Sequence, residues 1–293
     1  MMKPPLVSVL MTSYNSEKYI SESIESVLNQ SFLDFELIII DDCSLDNTFS
    51  IVLEYAMKSN KIRVYQNSIN LGQFENRNKA ISFAKGSFIK FLDSDDLIAP
   101  NGLEIMLNAL LNFPNAVLGV PKYDKKILTP KSLSSHESIL FHFTKSNHLC
   151  VGPSGAIYKL SVIKEFGGFE PKFGILADTL FNLKIACFGE TILFQQNLFY
   201  WRRHIGQVTI GQNDKLKMMV ERIQIIEEIL NFDKIPLTIL EIEKIRLNFK
   251  KIYIIHFIRL ALAFNLKSAK KIRKILNLKI TDLLLFVKRC SLF

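Results

Sequence analysis

The segment Phe91-Leu92-Asp93-Ser94-Asp95-Asp96 ends an apolar run that begins at Ser87, and it places three carboxylates at the end of that run. A run of this kind, preceded by Gly86, reads as a buried strand, so the acids emerge where a parallel sheet presents its carboxyl edge to a ligand. Asp93 and Asp95 are two residues apart, and in an extended chain such side chains project to the same side. Converging carboxylates repel unless something positive lies between them. The common solution is a hard divalent cation with oxygen ligands, often one that also carries a phosphate group. The plainer reading is a solvated acidic turn before a helix, with Asp96 or Asn101 capping it and Pro100 in its first turn.

The surrounding pattern supplies the elements that would hold these acids. Residues 6–11 read as a first strand and 16–30 as a helix with Ile20, Ile24, Val27 and Leu28 on one stripe. Residues 35–40 form a second buried strand ending at Asp41-Asp42; a polar turn then leads into a helix over 48–58. A strand at 62–65, a helix at 74–85 and a strand at 88–92 follow. This alternation indicates right-handed βαβ units in a mainly parallel sheet, whose carboxyl edge binds nucleotides. Three strand ends there are polar: Thr12-Ser13-Tyr14-Asn15, Asp41-Asp42 and Asp93 to Asp96.

The middle, about 115–210, is less regular, with a tight loop at Gly152-Pro153-Ser154-Gly155 and a short helix over 159–166. A Gly167-Gly168-Phe169 turn follows, then a helical stretch at 175–188 with Asp178 in its first turn. Residues 191–201 are strand-like and run into Trp201-Arg202-Arg203-His204. From 214 onward the pattern is helical, with Pro236 at one boundary.

A chain of 293 residues with 48% hydrophobic content can bury a full core. Cys43, Cys150, Cys187 and Cys290 show no C-x-x-C spacing, and no secretory signal precedes the first strand. Free thiols in a reducing cytoplasmic setting are therefore expected. The five histidines form no H-E-x-x-H motif, which disfavours a zinc site. The net charge of +9 lies wholly in residues 212–293, since 1–211 balance to zero. No apolar run reaches the roughly 18 to 20 residues a membrane span needs; the nearest, 252–266, is interrupted by His256 and Arg259.

Taken together, the ordered motifs over about residues 6–210 resemble the family 2 glycosyltransferases, which adopt the GT-A fold. Val7-Ser8-Val9-Leu10-Met11-Thr12-Ser13-Tyr14-Asn15 is similar to the family's opening strand and nucleotide loop. Ser26-Val27-Leu28-Asn29-Gln30-Ser31-Phe32, with Glu36 through Ser44, resembles its second segment. Asn70-Leu71-Gly72 through Arg77-Asn78 leads into the acidic motif in the family's manner, and Gly167-Gly168-Phe169 with Ala177-Asp178 resembles the acceptor-side segment. The fold class expected is α/β: a GT-A fold with a mainly parallel, Rossmann-like sheet flanked by helices, plus a C-terminal helical appendage. The expected domains are a catalytic one over 1–211, split into a nucleotide-binding half, 1–98, and an acceptor half, 99–211, and a basic helical region over 212–293.

The resemblance also implies roles. Asp42 would take the N3–H of a uracil, Thr12 would offer backbone contacts and Tyr14 would stack, while Asp41 would join them or orient the loop. Arg77 would approach the nucleotide or its diphosphate as a fixed cation. Asp95 aligns with the ligand of a Mn2+ or Mg2+ ion, and Asp93 with the residue that touches the ribose or a metal-bound water. Asp178 would be the general base of an inverting transfer, although Ala177 stands where the family usually has Glu. His204 falls where members often place a basic residue facing the diphosphate or metal. The donor implied is a UDP-sugar, and the acceptor a lipid-linked or polysaccharide hydroxyl in surface-glycan synthesis. The processive Gln-x-x-Arg-Trp motif is absent, so one sugar per encounter is expected.

Near the carboxyl end, Lys267, Lys270, Lys271 and Lys274 share one helical face, with Ala269, Ile272 and Leu276 on another. Such a helix can lie on an anionic membrane surface, and peripheral attachment at the inner face through 244–293 is expected. An ordinary appendage packed on the catalytic domain is the alternative. A nucleic-acid-binding protein would leave the strand-end acids without purpose, since they repel phosphate. A sugar nucleotidyltransferase generally needs a Gly-rich phosphate loop after the first strand, and Thr12-Ser13-Tyr14-Asn15 has no glycine. The missing G-x-G-x-x-G likewise disfavours a dinucleotide dehydrogenase.

Overall fold

Apolar, β-branched runs bounded by polar turns form the centre of the protein. The structure, a computed structural model, describes residues 3–121, 129–204, 215–262 and 270. Strand β1 (Val7–Ser13) is followed by α1 (Ile20–Leu28), β2 (Phe35–Asp41), α2 (Thr48–Lys58), β3 (Ile62–Gln66), α3 (Gln73–Phe83) and β4 (Phe88–Phe91). These four strands pair in parallel, in the order β3-β2-β1-β4, with Val9 opposite both Leu37 and Lys90. Each connection is a right-length helical crossover, as buried parallel strands require. β1 and β2 are buried almost throughout because helices cover both of their faces.

The sheet continues with mixed polarity. After β5 (Leu97–Ile98) and α4 (Gly102–Leu111) come β6 (Ala116–Pro121), β7 (Lys131–Leu133), α5 (Ser135–Thr144), β8 (Ile157–Lys159), α6 (Leu160–Phe166), α7 (Ala177–Ala186), β9 (Glu190–Phe194) and β10 (Phe199–Tyr200). The full order is β3-β2-β1-β4-β8-β6-β9-β7, with β8 antiparallel to both β4 and β6, and β7 antiparallel to β9. The strand expected over 191–201 is two strands in different sheets. Asn197 takes a positive φ of 67°, breaking the run, and β10 pairs instead with β5.

Two compact units divide the chain: residues 1–211 with 232–236, and residues 212–231 with 237–293. The second holds α8 (Lys215–Leu230) and α9 (Ile239–Leu262), which bury Ile223, Ile225, Ile229, Ile245, Tyr253 and Ile254. Arg246 of α9 bonds Glu227 at 3.1 Å and Asn231 at 2.6 Å. Lys267, Lys271 and Lys274, with Ala269, Ile272 and Leu276, lie outside the described residues; Lys270 is exposed. Among the described residues, no helix is long and apolar enough to cross a membrane.

Candidate active site

The parallel strands bring their polar ends to one edge. Asp41, the last residue of β2, is fully buried and spends its carboxylate on the turn that follows. It accepts from Ser44 N–H at 3.0 Å, Ser44 Oγ at 2.5 Å and Gln66 Nε2 at 3.2 Å. The turn passes through Cys43 at φ 64°. The Asp41 carboxylate is thus engaged by the turn that follows β2. Asp42 is 3% exposed; its carboxylate accepts from Asn67 Nδ2 at 2.7 Å and from the N–H groups of Leu71 and Gly72, each at 2.9 Å. It thereby ties the 67–72 loop to the end of β2. Thr12 lies in β1 opposite Ile40, and Tyr14, just past the strand, is 46% exposed, free to stack on a planar ring.

Arg77 is the junction of the site. Its residues on α3 face inward, and its side chain, 5% exposed, bonds Asp93 at 2.7 Å and Asp178 at 3.3 Å. The rings of Phe74 and Phe169 flank the guanidinium, with centroids 5.6 and 5.8 Å away. Burial works against its charge, but Asp93 and Asp178 more than reverse this and hold it above its ordinary value. The guanidinium thus joins the acidic motif to the candidate base. The buried Nε has no partner among the described groups.

Asp178 sits in the first turn of α7, where the helix dipole favours a carboxylate. Burial nevertheless raises its carboxyl to about 6; Arg77 pulls it down and Asp93 pushes it up. The segment before α7 is set by Asn78, whose amide exchanges two bonds with the backbone of Phe169, at 2.8 and 2.9 Å. Gly168 is required there. Its φ is 96°, and a Cβ would lie 2.5 Å from Asn78 Oδ1.

Past β4, the acidic turn is held from several sides. Asp93 N–H bonds Ser154 Oγ at 3.0 Å, and Asp96 N–H bonds the Asp93 carbonyl at 3.0 Å. His204 Nε2 meets Asp95 Oδ2 at 2.9 Å, while Arg202 donates its backbone N–H to Asp96 at 3.2 Å and its Nε–H to the Asp95 carbonyl at 3.0 Å. Tyr19 lies under both, 4.5 Å from the His204 ring and 4.9 Å from the Arg202 guanidinium. Asp96 is 2% exposed; burial, then Asp93 and Asp95, push it up to about 7. Beneath, Lys90 is fully buried, and burial lowers its amine to about 7 against the pull of Asp96 and Asp93.

A divalent cation fits this donor set in part. Asp95 and His204 offer an oxygen and a nitrogen on one spot, and Asp93 lies two residues away with one oxygen on Arg77. Among the described residues, no group of three His, Cys, Asp or Glu side chains gathers to hold a metal. The described residues thus supply fewer ligands than the roughly six oxygens such an ion takes, and a ligand's phosphates would add to the shell.

The structure brings Arg77, Asp93 and Asp178 into one contiguous cluster and pairs Asp95 with His204. Thr12, Tyr14, Asp41 and Asp42 occupy the neighbouring strand ends. Sequence reasoning left Lys90, Ser154, Tyr19 and Arg202 without a role. Only Lys90 carried a local signal, a cation inside an otherwise apolar strand.

A mixed sheet with a parallel half and acids at its carboxyl edge is the GT-A arrangement. The family model for glycosyl transferase family 2 matches residues 8–167, and the chain belongs to that family. Over 106 residues it is 44% identical to the Escherichia coli UDP-Glc:alpha-D-GlcNAc-diphosphoundecaprenol beta-1,3-glucosyltransferase WfgD, covering 36% of this chain and 41% of that protein. It is 38% identical over 145 residues to the Bacillus subtilis putative teichuronic acid biosynthesis glycosyltransferase TuaG, covering 46% and 57%. The chain thus spans about half or less of the length of these curated relatives. The crystal structure of S. aureus TarS 1-349 in complex with UDP-GlcNAc superposes with a TM-score of 0.64 at 25% identity, covering 82% of this chain and 70% of that one. A Pyrobaculum calidifontis mannosyltransferase in complex with GDP-Man and Mn2+ has a TM-score of 0.63 at 18% identity over 99% and 81%, a likeness of fold.

Proposed function

We propose that this protein is an inverting glycosyltransferase that moves one sugar from a nucleotide-sugar, with UDP as the favoured carrier, to a hydroxyl of a lipid-linked or polysaccharide acceptor. The observation that carries the reading is Arg77, which holds Asp93 of the acidic turn and Asp178 of α7 on one buried guanidinium. A donor-side acid and a candidate base are thereby kept together, as a single displacement at one carbon requires. Burial keeps Asp178 a stronger base than an ordinary carboxylate. It would take the acceptor's hydroxyl proton as the new bond forms.

On the donor side, Tyr14 would stack on the base, Thr12 and the Asp41-Asp42 turn would line its edge, and Asp93 would face the ribose. Because Leu71, Gly72 and Asn67 already engage Asp42, the base would bond to a remaining lone pair of that carboxylate. Asp95, with Asp93 and His204 nearby, would hold Mn2+ or Mg2+; when bound, the ion would offset charge on the departing diphosphate. The UDP-linked names of the E. coli relative and the S. aureus neighbour support a uracil carrier, and the relative's diphosphoundecaprenol acceptor supports a lipid-linked one. Surface-glycan synthesis is the process proposed.

An acceptor of that kind places the enzyme at the inner membrane face. The outer side of α9 supports this, since Leu240, Leu247, Ile252 and Ile255 are exposed beside exposed Lys244 and Lys251. Full-length protein should co-sediment with anionic vesicles and not with zwitterionic ones; equal recovery with both would remove the membrane claim. The donor is tested by thermal shift across nucleotide-sugars with and without Mn2+. UDP or a UDP-sugar should raise Tm in a metal-dependent way, and Asp95→Ala should abolish the metal dependence. Indifference to every nucleotide would overturn the reading.

A further inference from the structure

The acidic turn rests on a lysine that the proposed chemistry does not use. Lys90 is fully buried in β4, three residues before Asp93. Lysine is almost never fully buried unless it is paired. Its partners in register are Val9 on β1 and Ile157 on β8, both buried and apolar, so packing at this position calls for another apolar side chain. The ammonium instead bonds the Ser154 carbonyl, lies 3.4 Å from the Ala156 carbonyl, and sits 5.7 Å from the centroid of the Phe199 ring. Asp96 and Asp93 both act on its charge.

Ser154 is the other half of the contact. Its hydroxyl accepts the Asp93 N–H at 3.0 Å and bonds the Asp96 carboxyl. The residue is 4% exposed, and the turn that carries it, Pro153–Gly155, is wedged in place. A Cβ on Gly155 would lie 2.6 Å from Val151 Cγ2 and 3.0 Å from the Phe199 ring. One serine is therefore bound through its carbonyl by the buried cation and through its hydroxyl by the acidic turn. Without the lysine, two buried carbonyls lose a donor.

We propose that Lys90 is a positioning residue, the buried donor that fastens the 153–155 turn beneath the acidic turn 93–96 and so fixes the ledge that receives the donor's diphosphate. The proposal rests on the glycosyltransferase reading above. Lys90 touches neither substrate nor reacting atoms; it acts through Ser154 and the acids.

The test measures UDP affinity of the full-length protein by calorimetry with Mn2+ present, in wild type, Lys90→Met, Ser154→Ala and the double variant. Lys90→Met conserves length and suits an apolar strand, so it should unfold cooperatively while its Kd for UDP rises about tenfold or more, as loss of a supporting contact does. Ser154→Ala should weaken UDP in the same direction by less. The double variant should bind no worse than Lys90→Met, because the two changes cut one chain of contacts in series, at the Ser154 carbonyl and at its hydroxyl. Wild-type UDP affinity in Lys90→Met, or losses that multiply in the double variant, would overturn the positioning role. A purely structural lysine would lower Tm and leave UDP affinity of the folded protein unchanged. If Lys90→Met does not fold, Ser154→Ala decides alone, and an unchanged Kd there overturns the proposal. A wild type that binds no UDP removes the donor reading itself, and the Lys90 role with it.

Discussion

The two halves of the sheet build their parts of the site by different means. In the parallel half, β1, β2 and β4 each deliver polar residues at the strand's own end, a few positions after an apolar run. In the mixed half, Ser154, Asp178, Arg202 and His204 arrive from a short turn, a helix start and the segment after β10, and each is placed by contacts across 61 to 109 residues of chain. The first mode makes position a consequence of local pattern. The second makes it a consequence of tertiary closure, so the mixed half should be where single substitutions change chemistry without changing the strand order.

Asp178 gives the largest expected effect. Asp178→Asn keeps the shape and the Arg77 contact but cannot accept a proton, so kcat should fall by about 10²- to 10⁴-fold with donor binding retained. Steady-state rates beside UDP calorimetry check this, and wild-type turnover would move the base elsewhere. The same group sets a pH limb. A base must be deprotonated, and burial has moved Asp178 up from 3.8 to about 6, so kcat should decline as pH drops through about 6 rather than near 4. A rate held flat down to pH 5 would separate the limb from this carboxyl.

Arg77 tests whether the halves are joined where the geometry joins them. Arg77→Met leaves Asp93 and Asp178 without their shared cation, a loss that costs about 3 kcal/mol or more where such a pair is buried. Urea unfolding should show the loss. Because Arg77 pulls Asp178 down, its removal should also shift the acid limb of kcat to higher pH. Unaltered stability and an unmoved limb together would mean that the halves are joined elsewhere.

What could be read from the sequence follows the same division. Helix α2 lies at 48–58 as its periodicity predicts, and β2, β3 and β4 begin where their apolar runs begin, because βαβ units are specified locally. The pairing of Asp93 and Asp95 was drawn from their spacing, and the candidacy of Asp178 from the family resemblance. The link from Arg77 to both was not, since no local pattern shows which residues a buried guanidinium will meet. Lys90 looked like an interruption in a strand; only the fold shows Ser154 waiting for it. The 191–201 run read as one strand because hydropathy does not register that Asn197 turns the chain with a positive φ. His204 was reached through the family resemblance, but its partner Asp95 lies 109 residues earlier.

Helix α5 starts differently from α1 to α4 and from its mixed-half neighbours α6 and α7, and this sets the smallest expected effect. None of α1, α2, α3 and α4 receives a bond from its own N-cap side chain. α5, in the mixed half, has a full capping box: Ser134 Oγ accepts the Glu137 N–H at 3.2 Å, and Glu137 accepts the Ser134 N–H at 2.9 Å. In the parallel half the helices α1 to α3 follow strand ends at the carboxyl edge, where a positive helix end suits an anionic ligand. α5 starts after β7, at the far edge of the sheet, and has to satisfy its first turn internally. Ser134→Ala should therefore cost about 1 kcal/mol by urea unfolding and leave kcat and KM per folded molecule unchanged. A fall in kcat would place α5 in contact with the chemistry and blur the division between the halves; a loss well below that value would mean that Glu137 or solvent caps the helix without the serine.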